Sequence, residues 1–481
     1  MKKLALYFLM AAAVLLPSAC RKTEPDVEPA KEKLPENYYS NLFAFNMMQT
    51  YYLWKAEVQE QMDKWTYGED PFEKVASLRY RENGQLVDRW TLLTDDYSGL
   101  VGNVSGNTKS YGLEFVLYYT DAAHKSLCAV VTFTYAGSPA RNAGLKRGDI
   151  FLTLDGQSLT QENYSSVLLS KLYNSSAVQL GMADGKTVQL TAVQMYENPV
   201  NEVLVLEDEG SKIGYLHFSS FTMDACRDLE EAFRRFKAEG IEELVLDLRY
   251  NGGGYALTSN ILASMIAPPA DVLAEKVFNQ DIFNSLFSEG LEEEDVVSRF
   301  RKSFTFRNGD QMQTVQAAEV NPGIKKLWVI QTRSSASASE SLVCGLKPYL
   351  GDNLKIVGEQ SHGKFCSGYI ISSSDFFNSL KAQKNNDVDC EEGIKRTENW
   401  GIYVMASRYA DCHGVTLSMP FGIPVDYEIA DAPDKGIALG DPEETMLAAV
   451  LSLRKGIATK SSRPARQTVP WYRPGFGMYV L

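Results

Sequence analysis

Apolar positions along this chain change their period, and each change marks a different kind of structure. From Asn37 they fall at helical spacing and are largely aromatic: Tyr38, Leu42, Phe43, Phe45, Met47, Met48, Tyr51, Tyr52 and Trp54. A second helical pattern follows Asp70-Pro71, whose proline suits a first helical turn, and carries Phe72, Val75 and Leu78. From about Tyr111 to Val193 the pattern is strand-like, with alternation after Gly112-Leu113-Glu114-Phe115 and then the run Ala129-Val130-Val131-Thr132-Phe133. Between Gly137 and Gly156 the order is a short helix, a glycine stop, a turn, a strand and an Asp-Gly turn. Beyond Pro199 strands alternate with helices. Ile213 to Phe218 and Leu244 to Arg249 read as strands, and Ala225 to Ala238 as an amphipathic helix with Leu229, Phe233 and Phe236 inward. A further helix carries Leu257, Ile261, Leu262 and Met265. That alternation predicts the crossover units of an α/β sheet.

The ends read differently. Lys2-Lys3, the apolar run Leu4 to Leu16 and the small residues before Cys20 form an export signal. Ser18-Ala19-Cys20 resembles a bacterial lipobox, which implies lipidation of Cys20, although leucine stands at 16 rather than at 17. Residues 21–36 are charged and Pro-rich, as in a flexible tether. Ser372 to Trp400 matches no motif and reads as an insertion, either a lid or a surface loop. Lys460 to Leu481 is basic and aromatic, and reads as a disordered tail or a strap across another domain.

Composition narrows the picture. A formal net charge of −13 opposes non-specific nucleic-acid binding. No run beyond the signal is long enough to span a bilayer. The cysteines after Cys20 are irregularly spaced, with no CxxC pair, so no metal site is expected. An exported location permits disulfides, and Cys390 with Cys412 is the candidate pair.

The candidate chemistry sits where a strand, Lys326 to Ile330, runs into Ser335-Ala336-Ser337-Ala338-Ser339-Glu340 and then a helix with Leu342, Val343, Leu346 and Leu350. A serine at a helix N-terminus faces free backbone N–H groups that favour developing negative charge. Alone, alternating Ser and Ala is an ordinary turn and N-cap. A serine nucleophile also needs a base, and Lys364 follows the strand-like run Leu354 to Glu359. A lysine serves when burial disfavours its charged form. His124, His217, His362 and His413 are the histidines available, and His362, beside Gly363-Lys364, is the one rival base.

The stretch Ser138 to Asp149 closely resembles a PDZ domain of the bacterial protease type. The resemblance makes Gly112, Leu113, Glu114 and Phe115 the loop that holds a peptide carboxylate. With Asp247-Leu248-Arg249-Tyr250-Asn251-Gly252-Gly253-Gly254, the Ser335 to Glu340 turn, Gly358-Glu359 and Gly363-Lys364, the chain resembles the carboxyl-terminal-processing (tail-specific) serine peptidases. The resemblance implies a multidomain α/β protein: a helical N-terminal region, a PDZ domain and a Clp/crotonase-like α/β serine protease core. The expected boundaries are 1–20 signal and lipidation cysteine, 21–36 tether, 37–107 helical region, 108–197 PDZ, 198–459 core and 460–481 tail. It makes Ser337 the nucleophile, Lys364 the general base, and the amides of Ala338 and Gly254 the oxyanion hole. Ser335 and Ser339 are left as turn residues, and Asp247 with Arg249 as a structural pair. One departure stands out: the glutamine that often orients the lysine is here Gly368.

The expected partners are proteins or peptides with apolar C-termini and a bilayer reached through Cys20, with no cofactor, no metal and no nucleic acid. The expected place is the bacterial cell envelope, facing the periplasm or cell surface. The rival readings are a non-catalytic PDZ-containing binding lipoprotein on a degenerate core, and a serine hydrolase of non-peptide esters.

Overall fold

Strands that are apolar on both faces require a covering layer on each side. The computed structural model describes residues 34–384, 387–459, 461 and 468–469. The export signal, Cys20 and the tether up to residue 33 lie outside them. Two compact units divide the chain. One takes Gly102–Gln280, Val297–Phe365 and the residues from Tyr409; the other takes those up to Val101 with Asp281–Val296 and Cys366–Arg408.

The larger unit is built on a six-stranded sheet ordered Val200–Asp208, Ser211–Phe218, Glu243–Asp247, Lys326–Gln331, Leu354–Gly358, Tyr427–Glu428. Its first pair is an antiparallel hairpin, and every later pairing is parallel. Alternation along the strands fills both layers. Leu244, Leu246, Leu327 and Val329 share a core with Phe233, Phe236, Ile261, Leu262, Leu342 and Leu346, from the helices Ala225–Ala238, Ala256–Ile266 and Ala338–Leu350. Val245, Trp328, Ile330 and Val357 share another with Met446, Leu447 and Val450 of the helix Thr445–Arg454. Three neighbouring parallel strands end at Asp247, Gln331 and Gly358. The loops leaving them carry the glycine run, the serine turn and Lys364. The C-terminal edge of a parallel sheet is where ligand sites form in such folds.

Residues 113–191 form an antiparallel sheet in the same unit. Its order is Thr187–Thr191, Ala177–Met182, Ile150–Leu154, Leu127–Thr134, Leu113–Tyr119 and, at the edge, Thr468–Val469. The short helix Pro139–Asn142 lies where the sequence places it, capped by Ser138, whose Oγ accepts from the Arg141 amide at 3.1 Å. Gly112 turns tightly at φ +66°, and a Cβ there would lie 2.1 Å from that of Ser138.

In the smaller unit the aromatic helix Tyr38–Tyr51 is buried along most of its length. Some of its partners, such as Trp65 and Phe287, lie elsewhere, and others come from the segment read as a lid or a surface loop. That segment instead folds into the helices Ser373–Ala382 and Cys390–Arg396. Phe376 and Phe377 pack their rings against Phe43 and Tyr39. The aromatic stripe near the N-terminus and the distant apolar residues of 372–400 are thus two halves of one core. Gly368 lies on the strand Cys366–Ser372, where a Cβ would come within 2.4 Å of Met405 Cε and 2.6 Å of the Val404 carbonyl, so no longer side chain fits. The expected Cys390–Cys412 disulfide does not form; both thiols are free, with Cys390 buried at the start of its own helix.

A buried charge network ties the two sheets of the larger unit together. Arg249 donates to Asp247 (Nη2 to Oδ2, 2.6 Å), to Glu444 (Nη1 to Oε1, 2.8 Å) and to Asp431 (Nη1 to Oδ1, 3.0 Å). Arg147, from the other sheet's side, reaches Asp431 at 2.6 Å and the Tyr250 hydroxyl at 2.8 Å. Burial acts to raise the Asp431 carboxyl, but Arg147 and Arg249 override it and hold it at about 2, against an ordinary value of 3.8. The folded state therefore keeps Asp431 ionised where the unfolded chain takes up a proton. Its stabilisation is full above pH 3.8 and is lost as pH falls toward 2. Urea unfolding between pH 5 and 2 is expected to show this acid-side loss, reduced in Asp431→Asn. Arg249→Met, which leaves the buried Asp247 without its cation and removes one of two from Asp431 and Glu444, is expected to cost about 3–5 kcal/mol at pH 7.

Candidate active site

The turn between the strand Lys326–Gln331 and the helix Ala338–Leu350 places Ser337 at φ +57°, ψ −113°. That region is unfavourable for a residue with a side chain, by about 1–3 kcal/mol, and persists only where surrounding contacts enforce it. They do here. The Ser337 amide donates to Glu340 Oε2 at 2.8 Å, and its carbonyl accepts from the Tyr409 hydroxyl at 2.9 Å and the Ser341 amide at 2.8 Å. The flanking serines are committed to the backbone. Ser335 Oγ donates to the Leu248 carbonyl at 2.7 Å, and Ser339 Oγ to the Asn251 carbonyl at 3.0 Å. Ser337, 8% exposed, is the serine presented at the first turn of the helix.

The glycine run packs directly on this turn. Asn251 organises it: its carbonyl accepts from the Ala336 amide at 3.0 Å, and its Oδ1 from the Gly253 amide at 2.9 Å. Gly253 has φ +107°, and a Cβ on it would lie 2.8 Å from Ser337 Cβ and 3.0 Å from the Ala338 nitrogen. Gly254, at φ +141°, is held against Phe221, whose carbonyl a Cβ would meet at 2.5 Å. The two glycines divide the work. Gly253 leaves room for the serine but spends its N–H on Asn251, whereas the Gly254 amide donates to no protein acceptor among the described residues.

Lys364 is buried, 1% exposed. Its amide donates to Glu340 Oε2 at 2.9 Å, the same oxygen that holds the Ser337 amide, and its carbonyl accepts from the same Tyr409 hydroxyl at 2.7 Å. The other Glu340 oxygen accepts from the Gly363 amide at 2.6 Å and from Ser361 Oγ at 2.5 Å. One carboxylate and one phenol thus hold the two segments together at fixed spacing. Burial pushes the Glu340 carboxyl up from its usual range, while the donors around it pull the other way. All four partners are donors, so the arrangement is complete only with the ionised form.

The structure therefore brings Ser337, Ala338, Gly254 and Lys364 to one edge of the sheet. It places Gly112, Leu113, Glu114 and Phe115 separately, at the start of the strand Leu113–Tyr119. His362 lies inside the loop, its amide bonded to the Ser335 carbonyl at 2.9 Å. His217 is fully buried on its strand, and burial lowers it to about 4. No group of His, Cys, Asp and Glu able to hold a metal occurs among the described residues. Sequence reasoning did not assign Glu340, Asn251 or Tyr409. For Glu340 a signal was present: Ser337-x-x-Glu340 is the spacing of a capping box, in which the glutamate reaches back to the N-cap amide.

Residues 212–428 match peptidase family S41. They form an S41 peptidase domain. The chain is 23% identical over 330 residues to the carboxy-terminal processing protease CtpB of Bacillus subtilis, covering 64% of this chain and 61% of that protein. It is 26% identical over 297 residues to the chloroplastic C-terminal processing peptidase of Tetradesmus obliquus, covering 58% and 55%. The matches thus span less than two thirds of these relatives' own length. A solved structure from Bacteroides fragilis NCTC 9343, assigned to the S41 proteases, superposes with a TM-score of 0.61 at 19% identity, covering 92% of this chain and all of that one. That likeness establishes the shared fold.

Within the S41 domain, Glu340 is the testable link between the serine and the lysine. Glu340→Gln puts an amide donor among N–H groups. It is expected to lower the unfolding free energy by about 2 kcal/mol in urea. It is also expected to lower kcat about 10²-fold with little change in KM, because Glu340 contacts the backbones that set the geometry.

Proposed function

We propose that this chain is an exported serine endopeptidase that uses a Ser337/Lys364 dyad on protein substrates delivered by their apolar C-terminal tails. The observation that carries the reading is the forced backbone of Ser337 at a strand-to-helix turn, beside a buried lysine tethered to the same carboxylate oxygen. Strained residues that their surroundings enforce cluster at active sites.

In this mechanism Ser337 Oγ attacks the scissile carbonyl as the Lys364 amine takes its proton. The tetrahedral oxyanion is held by the Ala338 amide, at the free end of its helix, and by the Gly254 amide. Lys364 then gives its proton to the leaving amine, and the C-terminal fragment departs. Water, deprotonated by the same amine, hydrolyses the acyl-enzyme and regenerates Ser337. Residues 108–197 act as a PDZ domain, in which the Gly112 to Phe115 turn receives the tail's carboxylate and the strand after it receives the tail's backbone. Lipidated Cys20 anchors the protein in the bacterial cell envelope, facing the periplasm or cell surface. The names of the relatives support the peptidase class.

The test is cleavage of an unfolded protein ending in an apolar tail, using the soluble chain that begins after Cys20. Ser337→Ala and Lys364→Ala are each expected to lower kcat at least 10³-fold while leaving the circular dichroism spectrum unchanged. Gly254→Ala, forced into a glycine conformation and against Phe221, is expected to lose at least tenfold. Tail-peptide binding with no turnover by the wild type would identify a binding lipoprotein instead.

A further inference from the structure

The strand Leu113–Tyr119 has a full antiparallel partner on one side, from Leu113 opposite Thr134 to Tyr119 opposite Leu127. On its other side it pairs with Thr468–Val469, a segment from the far end of the chain. Without that segment Leu113–Tyr119 is an edge strand, open to any extended peptide.

Three features make the occupancy ligand-like. The pairing is antiparallel, Thr468 opposite Tyr118 and Val469 opposite Leu117, so the segment runs toward Gly112. That is the direction in which strand addition would bring a peptide's C-terminal end to the Gly112 to Phe115 turn. Val469 is 5% exposed and belongs to the same buried cluster as Phe115, Leu117, Leu168 and Leu172. The last helix of the larger unit ends at Arg454, leaving enough chain to reach the edge.

We infer that the chain's own C-terminal segment occupies the peptide edge of residues 108–197 and competes there with substrate tails. Its ligand class is an extended peptide that presents one β-branched apolar side chain at the Val469 position, joined by backbone hydrogen bonds and needing no free carboxylate. Because the segment is tethered, its effective concentration at the edge is about millimolar, so a free tail binds only by displacing it. The inference rests on the proposed peptide-groove role of this domain.

The experiment uses the soluble chain that begins after Cys20 as wild type, Val469→Lys and Val469→Ile. The probe is a fluorescein-labelled decapeptide ending in Val-Ala-Ala with a free carboxylate. Val469→Lys is expected to bind it at least tenfold more tightly than wild type, and Val469→Ile to match wild type. Amide hydrogen exchange over 113–119 is expected to be faster in Val469→Lys, and to slow again when a peptide with the sequence of residues 466–473 is added. That restoration also shows that the variant's edge is folded. Equal probe binding and equal exchange in all three proteins would overturn the inference while leaving the groove reading intact. Absence of binding to any of them would overturn the groove reading, and this inference with it.

Discussion

The site depends on one buried carboxylate. Glu340 accepts from the amides of Ser337, Gly363 and Lys364 and from the Ser361 hydroxyl, with no exposed face. A carboxylate removed from water is stable only when its acceptor sites are filled. Filling them brings together two segments from the ends of neighbouring parallel strands. Tyr409 repeats the tie from the carbonyl side. The spacing of the Ser337 and Lys364 backbones is therefore set by Glu340 and Tyr409, which bond the main chain of both.

The strain at Ser337 and the glycines around it belong to the same arrangement. A left-handed serine turn tight enough to present its hydroxyl leaves no space for a side chain on Gly253. The tie between turn and glycine run is Asn251, through its carbonyl and its side chain. Behind it, Arg249 fixes the end of the same strand by gathering Asp247, Asp431 and Glu444 in a largely buried cluster. Such a network adds little net stability against an apolar core, but breaking it is costly, so it specifies one arrangement of the strand ends.

Much of this was legible in the sequence, because it rests on local pattern. The helix Ala225–Ala238 and the strand Lys326–Gln331 are written in their own periodicity, and the serine turn, the glycine run and Lys364 in their motifs. What stayed hidden depends on contacts distant in sequence. The helices of 372–400 look polar and featureless until Phe376 and Phe377 meet the aromatic helix Tyr38–Tyr51. Glu340 reads as a helix cap until the loop of 361–364 folds over it. For the C-terminal segment the sequence offered a tail or a strap; Thr468–Val469 pair with the strand Leu113–Tyr119, and most of the segment lies outside the described residues. The division of labour between Gly253 and Gly254 is set by where Asn251 points, which no spacing encodes.

The most direct test of the central claim is where a fluorophosphonate, an electrophile selective for activated serines, attaches to the soluble chain, read by peptide mass spectrometry. The account expects a single adduct on Ser337 in the wild type, and almost none in Lys364→Ala with its fold intact. An adduct on Ser335 or Ser339, or unchanged labelling of Ser337 without Lys364, would contradict it.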